Sequence, residues 1–63
     1  MDLNFPVVAK RKGKNRWFHV EIRQRPARFA YIVVGCKGNN ETLLGEYRQQ
    51  CSADKKLNEE ITK

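Results

Sequence analysis

The sequence lacks the features of a membrane protein and of a secreted, disulfide-rich domain. No apolar run approaches the roughly 18 residues needed to cross a bilayer. No basic stretch followed by an apolar stretch opens the chain, so we expect no secretory signal and a cytoplasmic, reducing location. Only two cysteines occur, Cys36 and Cys51, and we expect free thiols there. The alternative is a single disulfide between them.

Sequence motifs for catalysis and metal binding are also missing. The chain contains no P-loop and no GxGxxG, HExxH or GxSxG pattern. Its single histidine, His19, cannot supply both members of an acid–base pair, and 63 residues leave little room for an enclosed pocket beside a core. Zinc takes four ligands, whereas the chain offers two cysteines and one histidine without a CxxC pair. We therefore expect no enzymatic activity, no cofactor and no metal site.

What the sequence does contain is enough apolar surface for one small domain over residues 1–63. Hydrophobic residues make up 40% of the chain and charged residues 32%, which is too apolar for a disordered tail. A chain of this length buries only about 60% of its unfolded surface, so its stability is expected to be marginal.

Three segments have the composition and periodicity of β-strands. Residues 17–24 alternate strictly, with Phe18, Val20 and Ile22 on the predicted core face. Residues 28–36 are β-branched or aromatic on both faces, which is typical of a central strand. A turn at KGNN, residues 37–40, leads into residues 41–50, where we predict a strand bent at Gly45. A helix is the alternative for that last segment.

The two ends complete an α+β domain. Residues 1–9, with the apolar run NFPVVA, predict an edge strand or an extended arm, followed by a basic turn at 10–16. A C-terminal helix over 52–63 begins with Ser52 as N-cap and Asp54 in its first turn. We expect its stripe of Ala53, Leu57 and Ile61 to pack on Phe18, Val20 or Ile22. The predicted fold is an antiparallel sheet of three or four strands with this helix on one face, β-β-β-α.

The sheet face opposite the helix needs a second cover, because residues 31–34 are large and apolar on both sides. The N-terminal segment, a second copy of the chain or a partner protein could provide it. We expect a homodimer ahead of the folded-back arm, since pairing of identical surfaces is the commonest route to closing such a face.

The positive charge is concentrated in the first half of the chain. Thirteen basic residues against seven acidic ones give a net charge of +6. Residues 10–28 hold eight basic residues and one acid, a net +7, whereas residues 41–63 carry a net −1. Such a surface favours an anionic partner. The predicted nucleic-acid-binding residues are Lys10, Arg11, Lys12, Lys14, Arg16, Trp17, His19, Arg23, Arg25 and Arg28.

One strand face could supply the contacts to bases. Alternation predicts that Trp17, His19, Glu21 and Arg23 share a face, with basic clusters at both ends of the strand. Sheet elements inserted in the major groove, with basic groups on the flanking phosphates, are an established mode of DNA recognition. The alternatives are that Trp17 covers the edge of the core, that His19 is a plain surface residue and that the basic cluster is ordinary solvated surface.

The predicted element order resembles two families of small DNA-binding domains, the arm-binding domains of tyrosine recombinases and the plant AP2 domains. The resemblance concerns only the order of elements, so it transfers no functional residue. Length and basicity also resemble small phage or mobile-element proteins, many of which bind a host protein. We expect a DNA-binding protein, with DNA preferred to RNA and duplex DNA as the main ligand. The alternative is a regulator or inhibitor that binds an acidic surface of a larger host protein.

Overall fold

The computed structural model describes residues 3–62, which form one antiparallel sheet and one helix. The strands follow one another in space in the order in which they occur along the chain. The predicted α+β class is confirmed, and the N-terminal segment adds a fourth strand. Residues 1–2 of the predicted arm and residue 63 of the predicted helix lie outside the described residues. The elements are β1 (Val7–Lys12), β2 (His19–Gln24), β3 (Tyr31–Lys37), β4 (Asn40–Tyr47) and α1 (Gln50–Ile61).

The first hairpin turns later than the sequence predicts. β1 continues to Lys12, which pairs with His19, so the prediction of a turn from residue 10 is wrong. Charged side chains are well tolerated on an edge strand because they extend into water while the backbone pairs. The loop occupies residues 13–18, and the Gly13 amide closes it by donating to the Phe18 carbonyl at 2.8 Å.

The turn between β3 and β4 lies where the sequence places it. Gly38 has a φ of 62°, in the left-handed region that glycine enters without steric cost. The strand prediction for the segment that follows is confirmed over the helical alternative, because β4 pairs with β3 along its length.

The helix starts at Gln50, within two residues of the predicted position. Gln49 rather than Ser52 is the N-cap residue, no side chain caps the first turn, and Asp54 lies beyond that turn. Since capping contributes little, α1 depends on packing against the sheet for its stability. Within the described residues, no helix is long and apolar enough to cross a membrane.

The main core lies between α1 and the sheet. Val20 and Ile22 of β2 pack with Ala53 and Leu57 of the helix, as predicted, and Ile61 packs at the margin. Phe18 does not join them, because its side chain is 67% exposed. β2 begins only at His19, so the alternation of the strand does not extend back to residues 17 and 18.

Trp17 takes the core position that the sequence assigns to Phe18. Its ring lies against Gly35, where an added Cβ would come within 2.7 Å of the indole. The indole Nε1 donates a buried hydrogen bond to Glu60 Oε1 at 3.1 Å. The prediction that Trp17 shares a face with Glu21 and Arg23 is therefore wrong, and the alternative, a residue at the edge of the core, is confirmed.

A β-bulge in β4 interrupts the alternation of its side chains between the two faces of the sheet. Val34 pairs with Leu43, the preceding β3 residue pairs with Gly45, and Leu44 is left without a cross-strand partner. The extra residue moves later side chains to the other face. Leu44 and Tyr47 consequently pack on the helix side, whereas Leu43 packs on the opposite side. Leu43 and Tyr47, which strict alternation would place on one face, therefore lie on opposite faces of the sheet.

The side of the sheet opposite α1, here called the far face, is covered by the N-terminal segment. Leu3 and Phe5 pack on Ile32, Val34 and Cys36, and the first two of these β3 residues are fully buried within a single chain. The apolar strand that led to the expectation of a homodimer is thus already covered. Dimerisation remains a prediction, but an uncovered apolar face of β3 no longer supports it.

The packing of α1 on the sheet should contribute strongly to the free energy of unfolding. Leu57→Ala is expected to lower the free energy of unfolding by about 2–5 kcal/mol, since it opens a cavity between α1 and β2. Asn58→Ala, at an exposed position one residue later, should change it by less than about 0.5 kcal/mol. Urea denaturation followed by circular dichroism measures both, and equal effects would contradict the packing described.

Candidate nucleic-acid interface

The far face carries a polar network across three strands. His19, Glu21 and Arg23 alternate along β2 and point to this side of the sheet. Cys36 of β3 lies directly opposite His19, and Glu41 of β4 lies opposite Cys36. This is the face that the sequence predicts for contact with bases.

Arg23 is a buried structural group on that face. Its Nε and Nη2 donate to Glu21 Oε1 at 2.9 and 2.7 Å, and Nη2 also donates to Glu41 Oε2 at 2.5 Å. Nη1 donates to the Leu3 carbonyl at 2.5 Å, which ties the N-terminal segment to the sheet. Only 6% of Arg23 is exposed, so its predicted role as a base-reading residue is not supported.

The ionisation of the network follows from these contacts. The hydrogen bond that Arg23 donates to Glu41, reinforced by Glu21, raises the pKa of Arg23 above its ordinary value. The same hydrogen bond lowers the pKa of Glu41. Burial raises the pKa of the Cys36 thiol, and the two neighbouring carboxylates add to the rise. A thiol of this kind is a poor nucleophile at neutral pH.

His19 is also engaged on the far face. Its Nε2 lies 2.9 Å from Glu21 Oε2, and Lys10 Nζ lies 4.0 Å from the same oxygen. Carboxylates of Glu21 and Glu41 therefore offset the cations here, and a phosphate would meet mixed charge. The face does not have the geometry of a groove-reading surface.

The remaining predicted cations do not form one cluster. Arg25 and Arg28 follow the end of β2 that is remote from the β1–β2 loop, and Arg25 forms an ion pair with Glu46. Lys10 and Arg11 are exposed along β1. Of the predicted cations, the structure brings only three together in one pocket: Lys12, Lys14 and Arg16, at the end of β1 and in the β1–β2 loop.

A shallow basic pocket of about 270 Å³ lies at the β1–β2 loop. Trp17 forms part of its wall, with the Arg16 guanidinium 5.1 Å from the centre of the indole ring. Among the described residues that line it, none is acidic. We call its exposed cations and aromatic ring the basic hairpin end; they are Lys12, Lys14, Arg16, Lys37 and Phe18.

Backbone hydrogen bonds fix the main chain at Phe18, whose exposed ring lines the same pocket. Its amide donates to the Cys36 carbonyl at 2.9 Å, and its own carbonyl accepts from Gly13. Since Trp17 fills the core beside it, the Phe18 ring has no apolar site to enter. An aromatic ring between cations is the arrangement found on surfaces that bind unpaired nucleic acid bases.

Sequence reasoning missed Phe18 and Lys37 as site residues. The adjacent aromatics at 17 and 18, directly after a basic loop, are the signal that could have found Phe18, because neighbours in an extended chain cannot both face the core. No sequence pattern marked Lys37 as a site residue. It ends a largely apolar strand and reaches the pocket only because β3 pairs with β2.

The chain matches no protein-family model, and no curated protein or solved structure is significantly similar to it. The geometry of the basic hairpin end therefore carries the functional proposal.

Arg23 is expected to matter for stability rather than for recognition. Arg23→Ala should lower the free energy of unfolding by about 3–5 kcal/mol, because it removes the buried guanidinium that donates two hydrogen bonds to Glu21 Oε1. The double variant Glu21→Gln/Arg23→Met, which removes both charges, should lose less. Chemical denaturation measures each. A fully stable Arg23→Ala variant would show that this arginine is free for another role.

Proposed function

We propose that this chain is a nucleic-acid-binding module that uses the basic hairpin end as its contact surface, with DNA as its main ligand. The observation that carries the proposal is the exposed Phe18 ring among four exposed cations in a pocket whose described lining contains no acid. Solvated lysines scattered for solubility would not require an aromatic ring held outward among them.

Phosphate contacts supply most of the affinity in this proposal. These cations come from three segments of the chain that line the pocket: the end of β1, the β1–β2 loop and the end of β3. They are Lys12, Lys14, Arg16 and Lys37. Cations that replace condensed counterions on a nucleic acid give salt-dependent binding without sequence preference. Arg16 adds the capacity for a bidentate contact with phosphate.

Phe18 supplies an interaction that phosphate contacts do not. Bases of a single strand stack on exposed aromatic rings, whereas in duplex DNA an apolar side chain must wedge between base pairs and unstack them. The ring therefore favours an unpaired or easily unstacked base beside the bound phosphates. The duplex remains a ligand through its backbone alone.

This proposal replaces groove reading by the far face with contact at one end of the sheet. The far face holds Arg23 in ion pairs and places Glu21 and Glu41 where a DNA backbone would approach. The basic hairpin end has no such conflict among its described lining residues.

Removing two cations of the basic hairpin end should flatten the salt dependence of binding. For Lys14→Gln/Arg16→Gln, the plot of log affinity against log salt should lose up to about 1.8 units of slope on duplex DNA, at about 0.9 per phosphate contact. Affinity should fall alike for all sequences. Fluorescence anisotropy with duplex DNA, single-stranded DNA and RNA at several salt concentrations measures this.

The matched control removes the same charge elsewhere. Arg48→Gln/Lys55→Gln changes two exposed cations, one before α1 and one on it, and should leave the slope nearly unchanged. Equal losses in both double variants would mean that net charge alone drives binding. Absence of binding by the unmodified protein to every nucleic acid at low salt would overturn the proposal and favour an acidic protein surface as partner.

Phe18→Ala should weaken single-strand binding by about 1–3 kcal/mol, the worth of one base stacked on an aromatic ring. Duplex binding should change less, and thermal stability should be unaffected because the ring is exposed. Phe29→Ala is the matched control, since Phe29 is also exposed but lies outside the pocket, beside Arg48. A similar loss for both variants would contradict a specific role for Phe18.

A further inference from the structure

The geometry points to a metal site on the far face, built from His19, Glu21 and Cys36 and suited to Zn²⁺ or a similar transition-metal ion. An imidazole nitrogen, a carboxylate oxygen and the Cys36 sulfur all lie within 4.8 Å of one another. This site is separate from the basic hairpin end and does not depend on the proposed function.

The sheet register holds the three side chains together. His19 and Cys36 are directly opposite on neighbouring strands, and Glu21 lies two residues along β2 on the same side. Glu21 and Cys36 are buried, whereas His19 is half-buried. The fold therefore brings the three ligand side chains together on one face of the sheet.

The two oxygens of Glu21 have different roles. Oε1 accepts from Arg23 Nε and Nη2 at 2.9 and 2.7 Å, which fixes the carboxylate. Oε2 points to His19 Nε2 at 2.9 Å. Arg23 thus acts as the outer partner that commonly orients a metal-binding carboxylate. Arg23 does not bind Glu21 Oε2, so this oxygen and His19 Nε2 face each other. A metal ion between them can replace their direct contact.

The spacing suits tetrahedral coordination. With bonds of about 2.0–2.3 Å, neighbouring ligand atoms of a zinc site lie about 3.3–3.8 Å apart. The 2.9 Å nitrogen–oxygen contact needs to open slightly, and the longest separation, at most 4.8 Å, needs to close by about 1 Å. Glu41 Oε2 lies 3.9 Å from Cys36 Sγ but is held by Arg23, so we assign the fourth position to water.

The donor set and the charges select the class of ion. Sulfur and imidazole nitrogen favour Zn²⁺ or Co²⁺ over Mg²⁺ or Ca²⁺, which prefer oxygen alone. A thiolate, a carboxylate and a neutral imidazole balance an ion of charge +2, while Glu41 balances Arg23. The thiol proton, with any proton on His19, passes to solvent as the metal binds. Lys10, 4.0 Å from Glu21, is exposed and can swing into water.

Cobalt spectroscopy tests the site directly. We expect titration of the intact, reduced protein with Co²⁺ to produce a sulfur-to-metal charge-transfer band and the visible bands of four-coordinate cobalt, saturating at one ion per chain. Addition of Zn²⁺ should abolish these bands and raise the melting temperature, because an ion that binds only the folded chain stabilises it.

Cys36→Ser should remove the charge-transfer band and weaken binding by about tenfold or more, as loss of a ligand costs at least as much as loss of its outer partner. Cys51→Ser is the matched control: Cys51 is a free, exposed thiol on α1, on the other side of the sheet, so the band should remain. His19→Gln, at a half-buried position, provides a second ligand variant if Cys36→Ser does not fold. Absence of the band in the unmodified protein would overturn the proposal, as would its retention in Cys36→Ser or unchanged affinity in His19→Gln.

Discussion

Burial of the Trp17 indole is the interaction on which the rest of the structure depends. The ring lies against Gly35 of β3, and its Nε1 donates to Glu60 of α1, so one side chain joins the β1–β2 loop, the sheet and the helix. Gly35 is required because any Cβ there would collide with the ring. With Trp17 directed inward, the backbone turns Phe18 outward, and the same contact that completes the core also creates the exposed aromatic surface at the basic hairpin end.

On the far face, by contrast, the charged side chains pair with one another rather than with solvent. Arg23 is surrounded by Glu21, Glu41 and the Leu3 carbonyl, and the N-terminal segment covers the apolar side chains beside it. A buried ion pair contributes little net stability, yet removing one partner is costly, so such a network fixes the arrangement of its neighbours. Here it fixes the N-terminal segment across the sheet and orients Glu21 toward His19 and Cys36.

The cations of the chain fall into two groups with different surroundings. Cations that have carboxylate partners, such as Arg23 and Arg25, hold strands together, whereas those of the basic hairpin end face solvent around a pocket without acidic residues in its described lining. Net charge alone does not distinguish these groups. The proposal of nucleic-acid binding therefore depends on cations for which the described lining of the pocket provides no carboxylate. The proposed metal site depends on three residues that the strand register brings together.

The sequence by itself determined the local elements: the alternation of β2, the doubly apolar β3, the glycine turn before β4, the stripe of Ala53 and Leu57, and the concentration of charge between residues 10 and 28. Each is a property of neighbouring residues, which is why pattern alone predicted it. Only the tertiary structure decided which aromatic of Trp17 and Phe18 is buried, that Leu44 bulges, and that Arg23 is sequestered. Those outcomes depend on strand register and on partners 18 to 43 residues away, such as Glu41 and Glu60, whose positions no local pattern encodes.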